Sequence, residues 1–172
     1  MNIRTIKLIK GISAFIATLL ILFGARFLWQ NYSITMPLNK ELMVIDGIEN
    51  IIVEKPLKIH EPVNIIVSLN NVSNFPKFYT EINEKVVQAL KNRNYTIDIK
   101  SDSADELDKL YTDISLYIEK ALIDGSFPEL VEKGQILSDT INAKCSISVD
   151  DKYIYIHMAK NDNALYKLIP RK

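Results

Sequence analysis

Along this chain the hydrophobic positions change period several times. "PVNIIVSLN" alternates: Val63, Ile65, Val67 and Leu69 fall on one side, Asn64, Ile66, Ser68 and Asn70 on the other, a period of two that predicts a strand. The preceding "IENIIVEK" reads as a strand as well. In "SNFPKFYTEINEKVVQALKN" the period lengthens, and Phe75, Phe78, Tyr79, Ile82, Val86, Ala89 and Leu90 form one stripe of a helix. Ser73 or Asn74 can cap that helix and Pro76 suits its first turn. "YTIDIKS" returns to period two.

A second helix is expected after Ser103, which with Glu106 has capping-box spacing. Its stripe runs from Leu107 to Leu122, and Gly125 is a natural terminator. Ser126 and Glu129 repeat the box, with Pro128 inside it, and open a shorter helix through Leu130, Val131, Leu137 and Ile141. The chain then finishes in three strands, "KCSISV", "YIYIHM" and "ALYKLIP", with a turn at Asp150-Asp151 between the first two.

Strands with one apolar and one polar side suit a sheet covered on one face, because double coverage favours continuously hydrophobic strands. The expected fold class is therefore α+β: a two-layer domain of mixed β-sheet with helices on one face. The uncovered side would carry Asn64, Ser68, Asn70, Thr96, Asp98, Lys100, Ser146 and Ser148. In "YIYIHM" the aliphatic set Ile154, Ile156 and Met158 suits the helix layer, which leaves Tyr153, Tyr155 and His157 on the open face.

The first thirty residues follow another pattern. Arg4, Lys7 and Lys10 precede the apolar run Gly11 to Trp29, which Arg26 interrupts. If Arg26 snorkels, the run is long enough to span a bilayer, with Trp29 and Tyr32 at the interface. Phe23 occupies the position where a signal peptidase wants a small residue, so the segment reads as uncleaved. The expected organisation is a cytoplasmic tail over 1–10, an N-terminal transmembrane signal anchor over 11–29, a linker over 30–47 containing Pro37 and Asp46-Gly47, and an extracytoplasmic domain over 48–172. The positive-inside tendency puts that domain outside a cell membrane.

Composition narrows the chemistry. The 172 residues balance 21 Lys+Arg against 21 Asp+Glu, which removes the basic domain that nucleic acid requires. The single cysteine, Cys145, excludes an internal disulfide and a thiolate metal cluster. It alternates with Ile147 and Val149, so it reads as a small buried hydrophobe. His60 and His157 are too few for a histidine-based metal site, and no cofactor is expected. The carboxylates from Asp105 to Asp124 solvate the outer side of the second helix. Asn31, Asn71 and Asn94 head N-x-S/T triplets, which matter only in a glycosylating cell. No nucleophile-elbow, zinc-protease or phosphate-loop spacing occurs.

The segments "FLWQNY", "VSLNNVSN", "YTIDIKSDSADELDKLY", "GSFPEL" and "LYKLIPR" resemble a group of uncharacterised single-span membrane proteins of spore-forming Gram-positive bacteria. That resemblance implies location and layout, and no activity. Two functions are compatible with the residues. One is a non-catalytic, membrane-tethered interaction or assembly module, whose contact surface is the stripe Tyr153, Tyr155 and His157 and whose partner is an envelope protein or a second copy. The other is a small envelope hydrolase or ligand-binding domain using scattered polar residues such as Asp98 and His157.

Overall fold

The computed structural model describes residues 3–30, 35–54, 61–70, 72–91, 93–101 and 103–171. Asn31, Tyr32, His60 and Asn71 lie outside the described residues, as do the side chains of Arg26 and Trp29. Among the described residues five helices and six strands follow one another: α1 (Ile3–Gln30), α2 (Met36–Leu42), β1 (Ile48–Glu54), β2 (Val63–Leu69), α3 (Phe75–Leu90), β3 (Tyr95–Lys100), α4 (Asp105–Asp124), α5 (Phe127–Asp139), β4 (Lys144–Val149), β5 (Tyr153–Lys160) and β6 (Asn163–Pro170).

The strands form two sheets of three, ordered β1-β2-β3 and β4-β5-β6, and not the single mixed sheet expected. The first sheet is mixed. β1 runs antiparallel to β2, while β2 and β3 are parallel, joined across α3 as a βαβ unit. The second is an antiparallel meander.

The first sheet has the one-sided layout that the alternation predicts. Val63, Ile65, Val67 and Leu69 of β2 are buried against α2 and α3, with Ile51, Val53, Ile97 and Ile99 packed beside them. Its other face carries the rows Asn50–Ser68–Lys100, Ile52–Ile66–Asp98 and Glu54–Asn64–Thr96. There Thr96 Oγ1 donates to Asn64 Oδ1 (3.0 Å) and Asn64 Nδ2 to Glu54 (2.8 Å).

The second sheet is covered on both faces, which corrects the two-layer expectation. Ile154, Ile156 and Met158 pack under Leu107, Leu110, Ile114 and Ile118 of α4 and Leu130 of α5. The opposite face carries Tyr155 and Tyr166 into the cluster of α3. The physical reason lies in β5, which has bulky side chains on both sides. A tyrosine ring counts as polar in an alternation pattern but brings 150–250 Å² of mostly apolar surface to be buried.

The span 30–47, expected as a linker, contains α2, whose Leu38 and Leu42 are fully buried on α3 and β2. Caps also differ from expectation in part. Asn74 Oδ1 accepts from Lys77 N–H (3.1 Å) and starts α3 as read. α4, however, starts one residue later than a Ser103 box implies, with Ala104 at the cap and Ser103 Oγ donating to Asp108 (2.9 Å). Ser126 precedes α5 without a side-chain cap, and Glu129 pairs with Lys120 instead.

The anchor expectation is also corrected. Among the described residues, no helix is long and apolar enough to cross a membrane. The uncharged run from Gly11 to Ala25 is about 15 residues. At 1.5 Å per residue it covers roughly 22 Å of a hydrocarbon core near 30 Å. The described side chains of α1, residues 12–25 and Leu28, are exposed.

Gly47 fixes the entry to β1. Its φ of +99° belongs to glycine, and a Cβ there would lie 2.9 Å from Val72 Cγ2 and 3.3 Å from Phe78. Asn70 N–H donates to its carbonyl at 2.9 Å. Gly47→Ala should therefore destabilise the fold by about 1–3 kcal/mol, read as a lowered denaturant midpoint. An unchanged midpoint would show that this turn relaxes freely.

Candidate functional site

β4 and β5 place two polar rows on the face that looks toward α3. Ser146 stands opposite His157, which stands opposite Tyr166; Ser148 stands opposite Tyr155, which stands opposite Leu168. The first turn of α3 lies over these rows. Between them is a crevice of about 180 Å³ lined by Ser73, Asn74, Phe75, Ser146, Ser148 and His157, with Pro76 and Tyr155 completing it.

The three residues expected on an open face occupy three different environments. Tyr155 is 3% exposed and belongs to the core. Its ring meets Phe75 edge-on at 5.7 Å and Tyr79 at 6.1 Å. Its hydroxyl donates to Asp150 Oδ2 at 2.6 Å. Tyr153 is half-buried, edge-on to Tyr79 at 5.4 Å and to Tyr155 at 6.0 Å. His157 alone reaches the crevice with polar atoms to spare, its ring stacked on Tyr166 at 4.6 Å and 3°. The open aromatic face is thus a covered one, and such edge-on pairs contribute roughly 0.5–1.5 kcal/mol each beyond burial.

Tyr166 joins the layers. Its hydroxyl accepts from Val72 N–H at 2.8 Å, and its backbone N–H donates to Ser101 Oγ, also at 2.8 Å. Burial raises its pKa, as it raises those of Tyr155 and Tyr79. All three hydroxyls stay protonated at neutral pH.

Burial lowers the pKa of His157. The imidazole is accordingly neutral at pH 7, with one nitrogen donating and the other accepting. Among the described residues, no protein hydrogen bond engages the side chains of Ser146, Ser148 or His157. The crevice therefore offers two hydroxyls and an imidazole to an uncharged hydrogen-bonding group. It is poorly suited to an anion, although it sits at a helix start. The Lys77 and Phe78 N–H groups are taken by Asn74, and Pro76 has none.

His157 stands opposite Ser146 across the strands, but no hydrogen bond joins it to Ser146 or Ser148, the contact by which a base activates a hydroxyl. No carboxylate is among the lining residues to orient the imidazole. Asp98 lies on the first sheet, in the row Ile52–Ile66–Asp98, and the structure does not bring it to His157. Cys145 faces the opposite side, against α5, and burial pushes its thiol up to about 11, the behaviour of an inert packing residue. Among the described residues no cluster of histidine, cysteine and carboxylates is suited to a metal ion.

Ser73 and Asn74 enter the crevice because they precede α3, and sequence reading treated them only as caps. Ser146 and Ser148 were legible as the polar side of β4. Comparison with family models, with curated proteins and with solved structures finds no match to this chain.

Proposed function

We propose that the domain is a non-catalytic interaction module that binds an extended segment of a protein partner along β4. The observation that carries this reading is that β4 is an outer strand of its sheet, paired among the described residues to β5 only, and the crevice opens beside it on the α3 side. An outer strand presents unpaired N–H and C=O groups that a partner strand can use, with pockets for alternate side chains providing selectivity. Ser146 and Ser148 point into the crevice from that strand, and neutral His157 stands behind them. An uncharged amide, hydroxyl or backbone group fits those donors and acceptors. At about 180 Å³ the crevice is smaller than the 300–1,000 Å³ of most small-molecule sites, which favours one side chain of a larger partner over a whole ligand.

Of the other outer strands, β3 and β6 run beside each other, tied by Ser101 to the backbone of Tyr166, and β1 is the weaker candidate. Its pairing with β2 is interrupted by a register shift between Ile48 and Asn50, the kind of irregularity that discourages edge pairing.

The test uses a photo-crosslinking residue at Ser146 of the full chain in its own cell, beside the same residue at Thr96 on the first sheet. Crosslinks from position 146 should concentrate on one segment of one partner, and Lys substitution at Ser148 should abolish them. Equal yields from the two positions, or none from 146, would overturn the reading.

A further inference from the structure

The two sheets meet where β3 runs beside β6, tied by Ser101 to the backbone of Tyr166: Ser101 Oγ accepts from its N–H at 2.8 Å and donates to its carbonyl at 3.3 Å. α4 and α5 cover only the second sheet on this side, so a step is left at the seam. A cavity of about 410 Å³ lies in the step, within the range of small-molecule sites. It is remote in sequence register from the crevice beside β4 and lies on the opposite face of the sheets.

Its apolar lining comes from Ile66 of the first sheet and Leu165 of the second, and Ile99, whose side chain packs on the α3 side, borders it. Around it stand Asp98 and Lys100 of β3 and Lys167 of β6. The two hydroxyls present are already committed: Ser101 to Tyr166, and Ser103 to Asp108. The charged groups lack ion-pair partners. Among the described residues no ion pair engages Asp98, Lys100 or Lys167, and the Lys167 ammonium lies over the Tyr111 ring, 5.4 Å from its centroid.

Charge decides the ligand class. A simple cation meets two ammonium groups, and a purely apolar ligand would strip water from three charges without replacing it. A simple anion satisfies the lysines but leaves Asp98 facing it. We propose that this cavity binds a small zwitterion with an apolar side chain, a free amino acid or a short peptide. Its carboxylate meets Lys100 and Lys167, its ammonium meets Asp98, and its side chain rests on Ile66 and Leu165.

The test is calorimetric titration of the full chain with leucine and with leucyl-leucine, against two truncated probes: 4-methylpentanoate, which lacks the ammonium, and 3-methylbutylamine, which lacks the carboxylate. At least one zwitterion should bind, and both truncated probes should bind about three- to tenfold more weakly, the scale of a partly exposed charge pair. Whichever of leucine and leucyl-leucine binds better identifies the free amino acid or the peptide. Asp98→Asn should weaken the zwitterion by a similar factor without weakening 4-methylpentanoate. Lys100→Gln with Lys167→Gln should weaken both. These side chains are exposed, so the variants should keep the melting temperature of the parent. Equal affinity for all four probes, no binding of either zwitterion at millimolar concentration, or an Asp98→Asn variant with unchanged leucine and leucyl-leucine affinity would overturn the proposal. None of these outcomes bears on crosslinking at Ser146.

Discussion

Tyr166→Ala should remove about 4 kcal/mol or more of folding stability. Cutting a large buried aromatic to alanine costs roughly 3–5 kcal/mol through lost transfer energy and the cavity left behind. Tyr166 is fully buried, and its loss also strands the buried Val72 N–H, which its hydroxyl accepts at 2.8 Å. Phe75 loses an edge-on neighbour at 5.3 Å, and His157 loses the ring on which it stacks. Against a total of about 5–15 kcal/mol for a domain, the variant should be marginal or unfolded at 37 °C. Tyr166→Phe keeps the ring and removes only the hydroxyl, so it should cost about 1–3 kcal/mol, the desolvation of one unsatisfied donor. Urea unfolding of both variants measures the two contributions. If Tyr166→Ala melts like the parent, the α3 layer and the second sheet are not joined through this residue.

Much of the fold was legible because period and burial coincide in it. β2 alternates cleanly and buries every second residue, and α3 buries the stripe read from its spacing. Gly125 ends α4 in the left-handed conformation expected of it. What was not legible has a common origin in side chains whose polarity label hides their bulk. Tyr153, Tyr155 and Tyr166 fill the space between α3 and the second sheet, yet alternation sorts two of them with serine and aspartate. That one misassignment turned a doubly covered sheet into a one-sided one and a core cluster into a contact surface.

α2 was missed for a different reason. A seven-residue helix gives too few periods to stand out, and Pro37 in its first turn and Gly47 beyond its end read as turn signals. Its Leu38 and Leu42 become core only because α3 is there to receive them. The seam between β3 and β6 has no local signal at all. Ser101 and Tyr166 are 65 residues apart, and nothing in either segment announces that they meet. The candidate sites follow the same division: Ser146, Ser148 and His157 share a face by simple alternation, whereas Asp98, Lys100 and Lys167 converge through tertiary structure.

Tyr155→Ala distinguishes the core environment from an exposed contact surface most directly. A solvent-facing tyrosine could be removed at almost no cost to folding, whereas at 3% exposure its truncation should cost about 3–5 kcal/mol. Tyr155→Phe isolates the bond to Asp150, and pH reads it. Burial works against the Asp150 carboxylate, but the Tyr155 hydroxyl, the N–H groups of Lys152 and Tyr153 and the charge of Arg171 outweigh it, so its pKa is lowered on folding. A lowered folded pKa contributes stability that is present above the unfolded carboxylate value near 4 and is lost as pH falls through the folded value. The parent should therefore lose stability between about pH 5 and pH 2. Tyr155→Phe, with one of the charge-assisted bonds gone, should lose less over the same range while starting lower at pH 7. Denaturant midpoints at pH 7, 5 and 3 make the comparison. Parallel acid slopes for parent and Tyr155→Phe would mean that the hydroxyl does not hold the Asp150 turn, and a neutral Tyr155→Ala would return the residue to the surface.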